Sequence, residues 1–277
     1  MRPLKIGAAL MVADLPRYRD WLIADGRDLE IQDFLRPEVL PGDWQAVVAE
    51  AKRHLQGFEG RLGIHGPFID LSLDTADPDI APIVARRFTT GVEAAAALGA
   101  TQMVIHSPFT TWDWFNFGSN PRTDTRPSAF EAKMDRVLAL LAPAVARAEA
   151  EGVTLVIENI EDIDPGFRRA LAARFASDAV RLSIDTGHAH YAHHATGAPP
   201  VDYFVTDAGA WLAHVHLQDA DGFADRHWPP GRGTVNWHAV FHAIAALPQR
   251  PHLVLELREA SDIPAAMVYL QREGLAC

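Results

Sequence analysis

The sequence predicts a (β/α)8 barrel, a single α/β domain over residues 1–277, and three observations carry that expectation. Short apolar runs recur along the whole chain. Helical patterns separate them. The downstream ends of most of these runs carry His, Asp or Glu, which is where a parallel barrel places its chemistry.

The runs are LKIGAAL (4–10), LEIQDF (29–34), LGIHGPF (62–68), QMVIHSPF (102–109), TLVIENI (154–160), VRLSIDTGH (180–188), LAHVHLQD (212–219) and HLVLELRE (252–259). Each is bounded by turn residues and nearly continuous in apolar character, as strands buried on both faces should be. The intervening helices carry end signals. Asp77-Pro78 offers a cap and a first-turn proline before IAPIVARRFTTGVEAAAAL, and Gly99 follows that stretch. Ser128 and Glu131 have capping-box spacing before KMDRVLALLAPAVARAEA, which Gly152 closes. Ser261 and Pro264 open the last helix. An open doubly wound sheet is the competing topology, but no GxGxxG follows the first run, so a dinucleotide-binding version has no support.

Composition narrows the class. A hydrophobic fraction of 48% and a charged fraction of 22% suit a globular chain that buries a large core unaided. The one cysteine, Cys277, excludes an intrachain disulfide or a thiolate zinc site. Neither a signal-peptide pattern nor an apolar run of membrane-spanning length is present, so a cytoplasmic location is expected. Lys and Arg number 25 against 36 Asp and Glu, for a formal net charge of −11. That balance disfavours nucleic acid, whose binders ordinarily present a basic face to phosphate.

The strand-end residues are His65, His106, Glu158 with Asn159, Asp185 with His188, His216 with Asp219, and Glu256. Taken singly, each has an ordinary structural reading. A His after a strand is usually a hydrogen-bonded scaffold residue, and a Glu inside LVLELRE more often pairs with Arg or Lys than with a metal. Their joint occurrence at one rim is what favours a site. Imidazole and carboxylate ligands without thiolate suit Zn2+, Mn2+, Fe2+ or Co2+. The stretch ADRHWPPGRG beyond the seventh run adds Asp225 and His227.

The motifs IHGPFIDLS, IHSPF, VIENI, IDTGHAH, HVHLQDADG, DRHWPPGRG and LELRE, in that order over about residues 62–259, resemble the xylose isomerase-like TIM-barrel superfamily. That superfamily includes sugar isomerases, ketose epimerases, inosose-processing enzymes and metal-dependent apurinic-site endonucleases. In the isomerase and epimerase branch, the resemblance implies one divalent metal held by Glu158, Asp185, His216 and Glu256. The two glutamates would exchange a proton with carbon, and His188 would hold a substrate oxygen. The endonuclease branch implies up to three metals on nine ligands, adding His65, His106, His188, Asp225 and His227. Two departures limit the transfer. Gly222 stands where ketose 3-epimerases carry an Arg, and the glycine-rich ending here is Gly231-Arg232-Gly233.

The expected activity is therefore isomerisation or epimerisation of a sugar, sugar phosphate or inosose, with one metal expected at the core. The alternatives are a multinuclear-metal phosphodiesterase and a non-catalytic barrel that binds metal or sugar. Asn159 and Gln218 could either bond a sugar hydroxyl or orient a ligand. The connection from Phe109 to Pro127, with Trp112, Trp114, Phe115, Phe117, Gly118 and Asn120, reads as an active-site lid or a homo-oligomer contact. Trp228 is placed on the rim.

Overall fold

The structure is a computed structural model that describes residues 4–119 and 126–277. Eight parallel strands close into a barrel in sequence order. They are β1 (Gly7–Leu10), β2 (Leu29–Ile31), β3 (Leu62–His65), β4 (Gln102–His106), β5 (Thr154–Glu158), β6 (Val180–Asp185), β7 (Leu212–Leu217) and β8 (His252–Leu255). Around them lie α1 (Leu15–Asp25), α2 (Trp44–His54), α3 (Ala81–Leu98), α4 (Thr111–Ser119) and α5 (Arg126–Glu151). The ring continues with α6 (Pro165–Arg174), α7 (Thr186–Thr196), α8 (Val201–Ala208), α9 (Trp237–Ala245) and α10 (Ile263–Arg272).

Every predicted run contains its strand, and most strands stop short of the run's end. On the second run, Gln32 ends the ladder and Asp33–Leu35 turn into a 3-10 helix. Asp33 is bent inward because its carboxylate accepts the Val12 amide at 2.7 Å. Period-two alternation then sorts the side chains. Leu155 and Ile157, Leu182 and Ile184, and Val215 and Leu217 are fully buried in the hydrophobic core, while Glu158, Ser183, Asp185, His214 and His216 meet one another across the barrel.

Three sequence expectations are corrected here. Ser128 lies inside α5, which begins at Arg126, so it does not cap that helix; Glu131 instead pairs with Arg174. The Phe109–Pro127 connection is not mainly loop, since Thr111–Ser119 form α4. Asn120, and the side chains of Phe117 and Ser128, lie outside the described part. Asp77 also acts one turn ahead of its helix. Its carboxylate accepts the amides of Asp79 and Ile80, and α3 follows from Ala81.

One buried cation ties the site-bearing strands together. Arg168, 1% exposed on α6, donates to the carbonyls of Ile157 (2.9 Å) and Ser183 (2.6 Å), and pairs with buried Asp162 at 3.1 Å. It thereby fixes the ends of β5 and β6, from which Glu158 and Asp185 project. Among the described residues, no helix is long and apolar enough to cross a membrane.

Candidate metal centre

The ends of β3 to β8 bring all nine predicted residues to one mouth. Register explains part of this: His106 pairs with Glu158 across β4 and β5, and Asp185 with His216 across β6 and β7. Glu158, Asp185, His216 and Glu256 each present one ligand atom within 4.8 Å of the others. A second such group is His65, His106 and Glu158, and a third is His188, Asp225 and His227. Glu158 is shared between the first two.

The imidazoles are aimed by what holds their far nitrogens. His65 Nδ1 lies 2.9 Å from the Gly66 carbonyl, leaving Nε2 facing Glu158 at 3.8 Å. His188 Nδ1 bonds the Asn159 carbonyl at 2.9 Å, with Nε2 3.5 Å from Asp225. His227 Nδ1 lies 3.2 Å from the Glu256 carbonyl, with Nε2 3.1 Å from Asp225. His216 is reversed. Its Nδ1 faces Glu158 (2.7 Å) and Glu256 (3.4 Å), and its Nε2 contacts the Glu30 carboxylate at 3.0 Å.

Electrostatics fit a cation at this position. Burial alone would raise Glu158, but His216 and then His106 and His188 hold it far below the usual carboxylate range. Burial, aided by the charges of Glu158 and Glu256, raises Asp185 to about 6 despite His188. His216 is buried, which disfavours its charge, yet Glu256, Glu30 and Glu158 drive it well above the ordinary histidine value. His227 rises to about 9 against its burial, through Asp225 and Glu256. His106, buried and stacked on Phe68 with ring centres 4.0 Å apart, falls to about 3. Protons on His216 and His227 thus balance the carboxylates where a divalent ion would. The buried Oε2 of Glu158 and Oδ2 of Asp185 have no hydrogen-bond partner, as suits atoms awaiting a metal. The residues present fit a divalent cation.

Several supporting residues were missed or left open by the sequence. Gln218 is the joint between the central group and the loop: Nε2 donates to Asp185 (3.0 Å) and Asp225 (2.9 Å), and Oε1 accepts the His227 amide (3.0 Å). That last bond supports a strained backbone, since His227 has φ 49°. Gly187 is required beside it, because a Cβ there would stand 2.1 Å from the Gln218 amide. Asn159 reciprocally bonds the Asp185 backbone (3.0 and 2.9 Å), so both open residues make ligand-orienting contacts. Gln32, not foreseen, donates to Glu256 at 2.6 Å.

Asp219 does not join the ligand groups despite its strand-end position. Its Oδ1 accepts the amides of Ala220 (3.0 Å) and Val235 (3.1 Å), and its Oδ2 accepts the Gly231 amide (2.8 Å) and the Trp237 indole N–H (3.0 Å). It pins the loop that carries Asp225 and His227. Trp228 pairs with Asp219 in an isolated bridge, and the guanidiniums of Arg226 and Arg232 lie 5.4 and 4.9 Å from its ring centre. At Gly222, where an Arg was noted as absent, φ is 75° and a Cβ would meet the His194 ring at 2.6 Å, so a side chain is excluded locally. The Arg of the 3-epimerases therefore has no counterpart at this turn.

A closed parallel barrel whose mouth gathers carboxylates and imidazoles from six strand ends defines the class of protein. The chain belongs to the xylose isomerase-like TIM barrel family, whose profile matches residues 25–273. An uncharacterized protein of Methanocaldococcus jannaschii is 22% identical over 195 residues, covering 68% of this chain and 61% of that protein. This chain thus spans less than two thirds of that relative's length. An uncharacterized protein of Mycobacterium leprae is 30% identical over 206 residues, covering 72% of this chain and 70% of that one. A structure of a Thermus thermophilus protein soaked with ZnCl2 superposes with TM-score 0.72 at 27% identity, covering 97% of each chain. The fold is also that of D-psicose 3-epimerase from Clostridium cellulolyticum, with TM-score 0.69, 18% identity, and coverage of 98% of this chain and 100% of that one.

Proposed function

We propose that this chain is a divalent-metal-dependent isomerase or epimerase acting on a small sugar, sugar phosphate, inosose or related polyol. The observation that carries the reading is the placement of Glu158 and Glu256, from β5 and the end of β8, around Asp185 and His216 within 4.8 Å. A divalent ion of the Zn2+, Mn2+, Fe2+ or Co2+ class would be held by these four residues and would supply Lewis acidity toward a substrate carbonyl and its neighbouring hydroxyl. The chain's own groups do the proton work. Glu158, held as a carboxylate by its histidine neighbours, takes a proton from the carbon beside the carbonyl. The proton is returned to carbon by Glu158 itself or by the facing Glu256, steadied by Gln32, after Glu256 has taken one from solvent, and Glu158 then gives up its own to solvent. Asp185 and His216 serve as ligands, and His188 holds a substrate oxygen.

The aromatic helix α4 is assigned as the lid. Trp112 and Phe115 are 75% and 54% exposed, while Trp114 packs on Phe167. Its base is tied down by Thr111 to Glu161 and by Asp113 to Lys133.

A second reading, phosphodiester hydrolysis on a cluster of up to three metals, is favoured by one observation: the two accessory groups, His65–His106–Glu158 and His188–Asp225–His227, are also assembled. The chain's charge argues against a duplex substrate. Net charge is −11, and one buried rim lysine, Lys133, is committed to Asp74 and Asp113. Solvent-deuterium incorporation into sugars, set against incision of an abasic duplex, separates these readings, and a barrel that binds without turnover would do neither.

A further inference from the structure

Beneath the mouth lies a buried polar layer that the proposed reaction does not use. Glu30 on β2 is 2% exposed, and among the described residues no Lys or Arg pairs with it; its carboxylate is set between two imidazoles, His216 Nε2 at 3.0 Å and His214 Nε2 at 3.3 Å. His214 is fixed in turn by Ser183, whose hydroxyl is 2.8 Å from Nδ1. A carboxylate only accepts, so the Glu30 contact places a proton on His216 Nε2 and leaves Nδ1 to the ligand ring. The other anchored ligand imidazoles, on His65, His188 and His227, lean on neutral backbone carbonyls. His216 alone among these leans on a charge. An anionic partner on the far nitrogen both fixes the ring and raises the basicity of the near one.

We propose that Glu30 is the positioning residue of the central site: it holds His216 with Nδ1 toward Glu158, Asp185 and Glu256 and strengthens it as a ligand, with His214, itself held by Ser183, 3.3 Å from the carboxylate on its other side. This rests on the metal-dependent reading above. Glu30, His214 and His216 are themselves close enough to hold an ion. However, His216 cannot turn one lone pair to both sides, and Glu30 already satisfies Nε2, so the layer acts as a buttress and not as a further metal site.

The test compares wild type, Glu30→Gln and Glu30→Ala, each stripped of metal, titrated with Zn2+ against a chromogenic chelator and with Co2+ by visible absorption. Far-UV circular dichroism checks the fold. Glu30→Ala should weaken the tightest site roughly 10- to 100-fold, and Glu30→Gln, which keeps the shape without the charge, roughly 3- to 10-fold. The Co2+ bands of both variants should shift, and the number of ions bound should stay that of wild type. Should Glu30→Ala fail to fold, the isosteric Glu30→Gln carries the test alone. Equal affinity and an unchanged Co2+ spectrum in the folded variants would overturn the positioning role while leaving the metal site intact. Loss of a whole equivalent with Glu30 would make it a ligand and overturn the proposal differently. A wild-type protein that binds neither ion would overturn both this inference and the metal-dependent reading.

Discussion

Replacing Asp219 with Asn should destabilise the protein severely although Asp219 touches no proposed ligand. The carboxylate is fully buried and accepts four N–H donors, two on each oxygen. In Asp219→Asn one oxygen becomes an NH2 group, which cannot accept. Whichever way the amide turns, two donors lose their partner and face another donor, and at least one of them is fully buried. At about 1.5–3 kcal/mol for each hydrogen bond to a charged group, the loss is about 3–6 kcal/mol. That is a large share of the roughly 5–15 kcal/mol that holds a domain together. If the loop 219–237 opens locally, it takes Asp225 and His227 with it. The assay is equilibrium urea unfolding by tryptophan fluorescence and circular dichroism, with metal counted on the same samples. A loss below about 1 kcal/mol, with the wild-type metal count retained, would refute the reasoning, because a buried charge with four satisfied donors cannot be that cheap to neutralise.

The central and accessory groups should separate under mutation. His216→Ala should abolish tight binding at the core, while His227→Ala should leave the core ion and lose any ion held by His188 and Asp225, as read by elemental analysis after gel filtration. Retention of the core ion in His216→Ala would contradict the ligand assignment. Metal uptake should strengthen as pH rises from 6 toward 9, because His227 with its value near 9, and His216 and His188 raised well above the ordinary range, must give up protons to become ligands. Calorimetry in buffers of different ionisation enthalpy should show proton release, and binding without it would count against the three histidines. For α4, hydrogen exchange over 111–119 should slow when a turned-over sugar saturates the protein, and unchanged exchange would make the helix a fixed contact.

The barrel was legible because its signal is local: a strand buried on both faces must be a short, nearly unbroken apolar run, and each of the eight runs contains its strand. The gathering of the strand-end residues at one mouth was legible because a parallel barrel puts strand ends together regardless of sequence distance, while Asp225 and His227 were named from the family resemblance. What the sequence hid was pairwise. Glu30 drew no reading from the run LEIQDF, and only closure of the barrel brings β2 across to β7, where it meets His214 and His216. Gln218 acts through three side-chain hydrogen bonds, to Asp185, Asp225 and the His227 amide, and Gln32 through one to Glu256, and nothing in the local sequence marks those pairings. Asp219 stood among the strand-end residues without a role, and the Pro-Gly loop folds back and saturates it. The Ser128–Glu131 spacing failed for a different reason: Glu131 found Arg174 across the helix interface, and α5 started before the Ser.

The central claim is proton transfer at a sugar carbon by Glu158 and Glu256 in the presence of a divalent ion. The most direct test is a paired assay on one metal-replete preparation in D2O, with ketoses, inososes and keto-sugars scored by NMR for deuterium at carbon and an abasic-site duplex scored for incision. Metal-dependent deuterium incorporation into at least one sugar is expected, with a loss of about 100-fold or more in Glu158→Gln and in Glu256→Gln, and no incision. Efficient incision that Glu256→Gln abolishes, with no deuterium entering any sugar, would contradict it.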